Sequence, residues 1–288
     1  MTDPGTSRLM MLTAYASVLV AGVLLVSKAM VWSWSDSTSV LSSLLDSMAD
    51  ILASLVNFFA IRYALLPADK NHPFGHAKAE GIAALIQAAF ISGSLIMVLL
   101  QVVDRLLHPQ ALNAINESIG VMVFSTLLTL CLVLFQRWVY RRTQSLAVKA
   151  DSAHYVSDIL MNIAVVIALV GVSFNWLWMD PAVALLVVVI LIKSVWDIVT
   201  LALSVLMDQA LEPETEAQIL ALIQQQPGVL GCHDLKTRQA GSVQFIQFHL
   251  ELNAEQSLRQ AHALGSRVER AIIKQFPQAE ILIHHDPI

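Results

Sequence analysis

The chain has 288 residues, of which 56% are hydrophobic and only 14% charged, with a formal net charge of −5 and a mean hydropathy of +0.65. Soluble domains carry about 25% charged residues, so a wholly water-soluble protein is excluded and an integral membrane protein is indicated. No basic block offers a nucleic-acid surface, and the two cysteines, Cys131 and Cys232, show neither CxxC spacing nor a disulfide framework.

Apolar runs of spanning length, roughly 20 residues, fall near 9–34, 38–66, 82–106, 117–138, 147–172 and 177–203. The first is too long for the core of a cleavable signal, and more spans follow it. Six spans put both termini on one side. The connections at 35–39 (SDSTS) and 174–179 (FNWLWM) carry no Lys or Arg. The opposite loops carry Lys70 and Lys78, then Arg137, Arg141, Arg142 and Lys149. That asymmetry predicts that the basic loops and both termini are cytoplasmic. Arg105, near the outer end of the third span, is the exception, with Asp104 beside it.

The second span contains DSMAD, which puts Asp46 and Asp50 at i, i+4 on one helical face. A carboxylate at the centre of a bilayer costs about 2.5–3.5 kcal/mol even on the lenient insertion scale, so two in one span need a reason. The fifth span repeats the spacing with His154 and Asp158 in HYVSD. At about 1.5 Å per residue, the first pair lies ~12–18 Å from the outer end of its span. The second pair lies ~10–17 Å from the inner end of its own. In a core about 30 Å thick the pairs can meet near the midplane. Three carboxylates and an imidazole there make a four-ligand N/O site suited to a divalent cation such as zinc. Readings without metal are Ser or Thr capping, a bridge to Lys28 or Lys193, and a proton relay.

Between the second and third spans, PADKNHPFGHAKAE holds Asp69, His72 and His76. Two histidines at i, i+4 with a nearby Asp offer a second, more exposed cation site; the alternative is a polar loop that only secures topology. Lys78 and Asp208 flank the third and sixth spans at the same face, and solvated charges there are worth about 0–1 kcal/mol.

After about residue 209 the composition becomes that of a soluble domain. PETEAQILALIQQQ is predicted as an amphipathic helix through Ile219, Leu220 and Ile223. HDLKTRQAG and SVQFIQFHLEL are predicted as a hairpin, LRQAHALGSRVERAIIKQF as a second helix and AEILIHH as a last strand. The αββαβ order predicts a small ferredoxin-like α+β domain over 209–288 behind a six-helix membrane domain over 1–208. Five of the nine histidines fall here: His233, His249, His262, His284 and His285. Alternation puts Ile246, Phe248, Leu250 and Leu252 on one strand face and His249 on the other. His284 and Asp286 share a side at i, i+2. A bridging carboxylate among imidazoles suggests one or two zinc-type ions, against the alternative of ordinary surface histidines. Cys232 is turned toward the core.

DSMAD on the second span, HxxxD on the fifth, PADKNHPFGHAKAE and the terminal HHDP together resemble the cation diffusion facilitator family over nearly the whole chain. The resemblance implies a homodimer in the bacterial inner (plasma) membrane that exchanges a divalent metal, zinc first and iron or cadmium as alternatives, for protons. It also implies that Asp46, Asp50, His154 and Asp158 form the transport site and that a metal sits on Asp69, His72 and His76. His233, His249, His262, His284 and Asp286 match its two-metal cytoplasmic site, with His285, where the family often has Gln, a weaker ligand. Lys78 and Asp208 match a charge interlock. The chain departs from the family's GHGKAE by Ala77, which puts the loop's backbone freedom in question.

The expectation is therefore a proton-coupled divalent-cation exporter, not an enzyme; HExxH is absent, which disfavours an intramembrane metalloprotease. Ligands that must be deprotonated to bind metal couple the two exchanges. The rival is a membrane-anchored metal sensor without transport.

Overall fold

The computed structural model describes residues 4–35, 38–107, 116–173, 179–241 and 243–288. It divides into two compact units, 4–203 and 204–288. The SDSTS and FNWLWM connections lie largely outside the described residues, as do the side chains of Asp104 and Arg105.

The first unit is helical: α1 (Pro4–Ser35), α2 (Thr38–Ala64), α3 (Ala79–Leu107), α4 (Asn116–Thr143), α5 (Leu146–Ser173) and α6 (Met179–Leu206). At about 1.5 Å per residue each is ~40–48 Å long, more than the bilayer core requires. Among the described residues five helices are long and apolar enough to cross a membrane, at Gly5–Ser33, Ser43–Ala64, Ala79–Leu100, Val123–Thr143 and Ala182–Leu206. Helix α5 is not one of them. Its first half carries Lys149, Asp151, His154 and Asp158, the residues that give this element its chemistry.

Helices in lipid associate through packing and polar contacts, so small residues collect where backbones approach. Here Ala14, Ala21, Ala53, Ala83, Ala84, Ala88, Ala147 and Ala150 are buried, while Leu19, Leu52, Phe59, Met97, Leu134, Leu186 and Trp196 face outward. Helix α1 packs on α2 and α4, and α5 packs on α3 and α4. Met10, Ala14, Ile61, Ala83, Val139, Ala147 and Val148 form one core. Glu80 at the start of α3 caps α5: its Oε2 accepts from Ser145 Oγ at 2.6 Å and from the Ala147 N–H at 3.3 Å. A carboxylate over the free N–H groups of a helix start fixes that end, and with it the register of His154 and Asp158.

The second unit has α7 (Pro213–Gln224), β1 (Gly231–Ala240), β2 (Val243–Leu252), α8 (Leu258–Gln275) and β3 (Ala279–Pro287), the αββαβ order expected. The sheet order is β1-β2-β3, with β1 and β2 antiparallel and β2 and β3 parallel. Helix α8 makes the crossover that parallel strands require, and starts with a capping box of Ser257 and Gln260. The core joins Ile219 and Ile223 of α7, Ile246, Phe248, Leu250 and Leu252 of β2, and Leu264, Val268 and Ile272 of α8. Strand alternation of β2 is as expected. On α7 it is Leu222, rather than Leu220, that packs against this core with Ile219 and Ile223, completing an i, i+3, i+4 stripe.

Candidate metal centres

The membrane unit brings Asp50 of α2 together with His154 and Asp158 of α5, one ligand atom from each lying within 4.8 Å of the others. His154 Nε2 stands 3.2 Å from Asp50 Oδ1, with the imidazole side chain 3% and the carboxylate 16% exposed. Tyr155 OH, 2.7 Å from Ser54 Oγ and 3.3 Å from the Ser17 carbonyl it donates to, locks α5 against α2 and α1 beside the imidazole. Phe90 meets the His154 ring edge-on at 6.4 Å. Two carboxylates and one imidazole suit a divalent ion with a position left for water. Asp46, one turn along α2, is outside this group and is exposed. Four converging ligands were expected and three converge. Lys28 Nζ donates to Ser47 Oγ at 2.7 Å and to the Ser43 carbonyl at 3.2 Å, which ties α1 to α2 near Asp46, while Lys193 is exposed on α6.

In the α2–α3 loop Asp69, His72 and His76 do converge. Asp69 Oδ1 accepts from the N–H groups of Asn71 and His72 at 2.8 and 2.7 Å. The His72 N–H is the main reason that its carboxyl is held below the usual carboxylate range. His76 Nε2 is 3.4 Å from Asp69 Oδ2 and 3.1 Å from His72 Nδ1, and Tyr63 covers the His76 ring at 4.6 Å. The left-handed residue of this loop is Gly75, with φ +80°, and not residue 77. Ala77 therefore asks for no conformation that an alanine resists.

In the tail unit the sheet register does the assembling. His233 of β1 pairs with His249 of β2, and His249 with His284 of β3, so three imidazoles form one row across the strands. Ring centroids are 5.0 and 4.6 Å apart. A bulge between His233 and Lys236 bends β1 immediately after its ligand. Asp286 spans the row: Oδ2 is 3.3 Å from His233 Nε2 and 2.8 Å from His249 Nδ1, and Oδ1 is 3.2 Å from His284 Nε2. Its carboxyl is held low chiefly by the His249 hydrogen bond. Each oxygen serves different imidazoles, the arrangement of a carboxylate able to bridge two ions.

Glu251 is a residue that sequence reasoning missed. Its Oε1 lies 2.8 Å from His233 Nδ1, which turns His233 Nε2 toward Asp286. A carboxylate behind a ligand imidazole fixes its tautomer and raises its basicity. The signal was present, since Glu251 follows His249 at i+2 on the same strand face. Cys232 packs on the core as expected, and burial, then Glu251, pushes its thiol up to about 11.

His285 and His262 are placed elsewhere. His285 points to α8, where a Cβ on Gly265 would lie 2.4 Å from its Nε2; a glycine at 265 makes that approach possible. Burial, then His262 and His284, holds the His285 imidazole below its ordinary value. His262 is exposed on α8, and neither belongs to the group of His233, His249 and Asp286. Asp208, with φ +56°, bonds Arg238 Nη1 at 3.2 Å inside the tail unit.

Apolar helices around a carboxylate–imidazole centre, in one chain with a sheet-built imidazole centre, define a multi-pass membrane protein equipped for divalent cations. Residues 14–207 match the cation efflux transmembrane domain and residues 211–288 the cation efflux protein cytoplasmic domain. A cation-efflux pump FieF of Klebsiella pneumoniae subsp. pneumoniae is 42% identical over 281 residues, covering 97% of this chain and 93% of that protein. One of Salmonella agona is 43% identical with the same coverage. A solved zinc form of CzrB is 38% identical over 28% of this chain and 92% of its own, with a TM-score of 0.27. The chain belongs to the cation efflux family, the cation diffusion facilitators.

Proposed function

We propose that the protein is a proton-coupled exporter of divalent cations, with zinc the preferred cargo and iron or cadmium as alternatives. The observation that carries this reading is the convergence of Asp50, His154 and Asp158 inside an apolar helical bundle. Buried carboxylates in a membrane are expensive, and a cargo cation that neutralises them gives a reason for their presence. The family membership and the FieF relatives support efflux as the activity.

In the inward-open state the deprotonated centre takes the ion from the cytoplasm. A rocking of helices opens it outward, where protons compete for Asp50, Asp158 and His154 and release the ion. Exchange follows because one set of atoms serves both cations. Asp46, a turn nearer the outer end, joins the ion during that transition. We assign α5 as a sixth span, with the basic loops and both termini in the cytoplasm of a bacterial inner membrane. The tail, about 209–288, is a ferredoxin-like module of a homodimer with two ions on His233, His249, His284 and Asp286, while His262 of α8 and His285 of β3 lie outside that row. Asp69, His72 and His76 hold a further ion.

The built and exposed tail centre favours a second reading, a membrane-anchored metal sensor. Flux into proteoliposomes of zinc, iron, cadmium and manganese, with and without a pH gradient, separates the two. The exporter moves zinc faster when protons run the opposite way, and a sensor moves no metal.

A further inference from the structure

Behind the membrane centre lies a polar cluster outside the group of Asp50, His154 and Asp158. Asp151 of α5, one turn before His154, is 0% exposed. Ser17 Oγ of α1 donates to its Oδ2 at 2.6 Å, and Gln136 Nε2 of α4 donates to the same oxygen at 2.7 Å. Gln87 Nε2 of α3 donates to Oδ1 at 3.3 Å. Asn57 of α2 approaches the same carboxylate without the geometry of a hydrogen bond. Each of five helices thus sends one polar side chain to a single point, and none of the five is more than 1% exposed. Counted along the helices at about 1.5 Å per residue, Asp151 lies ~7 Å from the start of α5. Asn57 and Gln136 lie ~10 Å from the ends of α2 and α4, and Gln87 ~12 Å inside α3. The cluster therefore sits between His154 and the end of the bundle that carries the α2–α3 loop.

Neutral amides would join the helices as well, so a carboxylate here needs a task. The cluster is also incomplete. Asn57 Oδ1 and Nδ2, Gln87 Oε1, Gln136 Oε1 and His154 Nδ1 are buried without a hydrogen-bond partner. Buried polar atoms of that kind are where ordered water sits. His154 faces Asp50 with Nε2, which leaves Nδ1 as the ring's second nitrogen, and a ligand imidazole gives that proton to a carboxylate, a carbonyl or water. A second metal fits the cluster poorly, because the Asp151 oxygens already accept from three donors with which a cation would compete.

We propose that Ser17, Asn57, Gln87, Gln136 and Asp151 form a water-binding site behind the transport centre, through which the Asp151 carboxylate orients His154. Asp151 is then a positioning residue: it holds the tautomer with the proton on Nδ1 and keeps the Nε2 lone pair for the ion. The inference rests on the transport-site reading of Asp50, His154 and Asp158.

The test uses the full chain with zinc as probe, in an Asp286→Ala, His72→Ala background that silences the tail and loop centres, with Asp151→Asn and His154→Ala compared. Asp151→Asn preserves shape and removes the charge. It should weaken zinc binding by about 10–100-fold, raise KM for flux more than it lowers the maximal rate, and turn the single Nδ1–H tautomer in the ¹⁵N spectrum of His154 into a mixture. Wild-type affinity with an unchanged His154 spectrum would reduce the cluster to a helix clamp and overturn the proposal. Should Asp151→Asn fail to fold, Ser17→Ala and Gln136→Ala each remove one donor, and wild-type affinity in both overturns it equally. Wild-type flux in His154→Ala would instead bring down the transport-site reading, and this proposal with it. Lost flux in His154→Ala beside a normal Asp151→Asn rejects only the role of Asp151.

Discussion

The membrane centre and the tail centre use the same ligand types in opposite surroundings. Asp50, His154 and Asp158 come from two helices, with the imidazole almost wholly buried. His233, His249, His284 and Asp286 come from three adjacent strands, with side chains 25–67% exposed. In the sheet, strand register lines up the ligands, Glu251 orients His233, and water screens their charges when no ion is bound. In the bundle, position depends on the Glu80 cap, the Tyr155–Ser54 lock and small-residue packing, and charge without a cation is costly. In the proposed exchange that cost ties loss of the ion to proton uptake, whereas an exposed, prearranged row can stand empty without it.

Substitutions should separate the two centres. The largest effect belongs to Asp50→Ala, which removes a ligand and a buried charge together. Zinc flux should fall at least 100-fold with the fold and tail binding retained; flux near wild type in correctly inserted protein would break the comparison. Next comes Asp286→Ala, which takes one oxygen from each side of the imidazole row. Calorimetry on the full chain should find the tail ions lost and the membrane ion kept, and an unchanged stoichiometry would reject the bridge. Glu251→Gln leaves every ligand in place and loosens His233. A decrease of about 10-fold in tail affinity is expected, with Glu251→Asp partly restoring it.

The smallest effect is a pH dependence. Burial holds His285 below its ordinary imidazole value, so its neutral form is favoured in the fold. That contribution is full above the unfolded value and is lost as pH falls through it toward the folded value. With chelator present, the tail should melt a few degrees lower at pH 5 than at pH 7, and His285→Gln should flatten the difference.

How much of this was legible in sequence follows from geometry. Spacing i, i+4 placed both Asp46 and Asp50 on one face of α2, yet one helical turn separates them by about 5–6 Å. Which of them meets α5 is decided by how the helices cross, which spacing does not encode. Alternation correctly gave the inner face of β2 and the pairing of His284 with Asp286. The row from His233 through His249 to His284 needs strand register and the bulge after His233, and both are long-range. Glu251 escaped because an acid on the open face of a strand is ordinary until its partner is known. Asp151 escaped because its partners Ser17, Gln87 and Gln136 lie on three other helices.

The central claim is that the ion crosses on Asp50, His154 and Asp158, and Asp158 tests it most directly. Asp158→Asn keeps the size of the side chain and removes one anionic ligand. Zinc flux into proteoliposomes under an opposing pH gradient should be abolished in Asp158→Asn and persist in Asp286→Ala. Flux at the wild-type rate in Asp158→Asn would contradict the account.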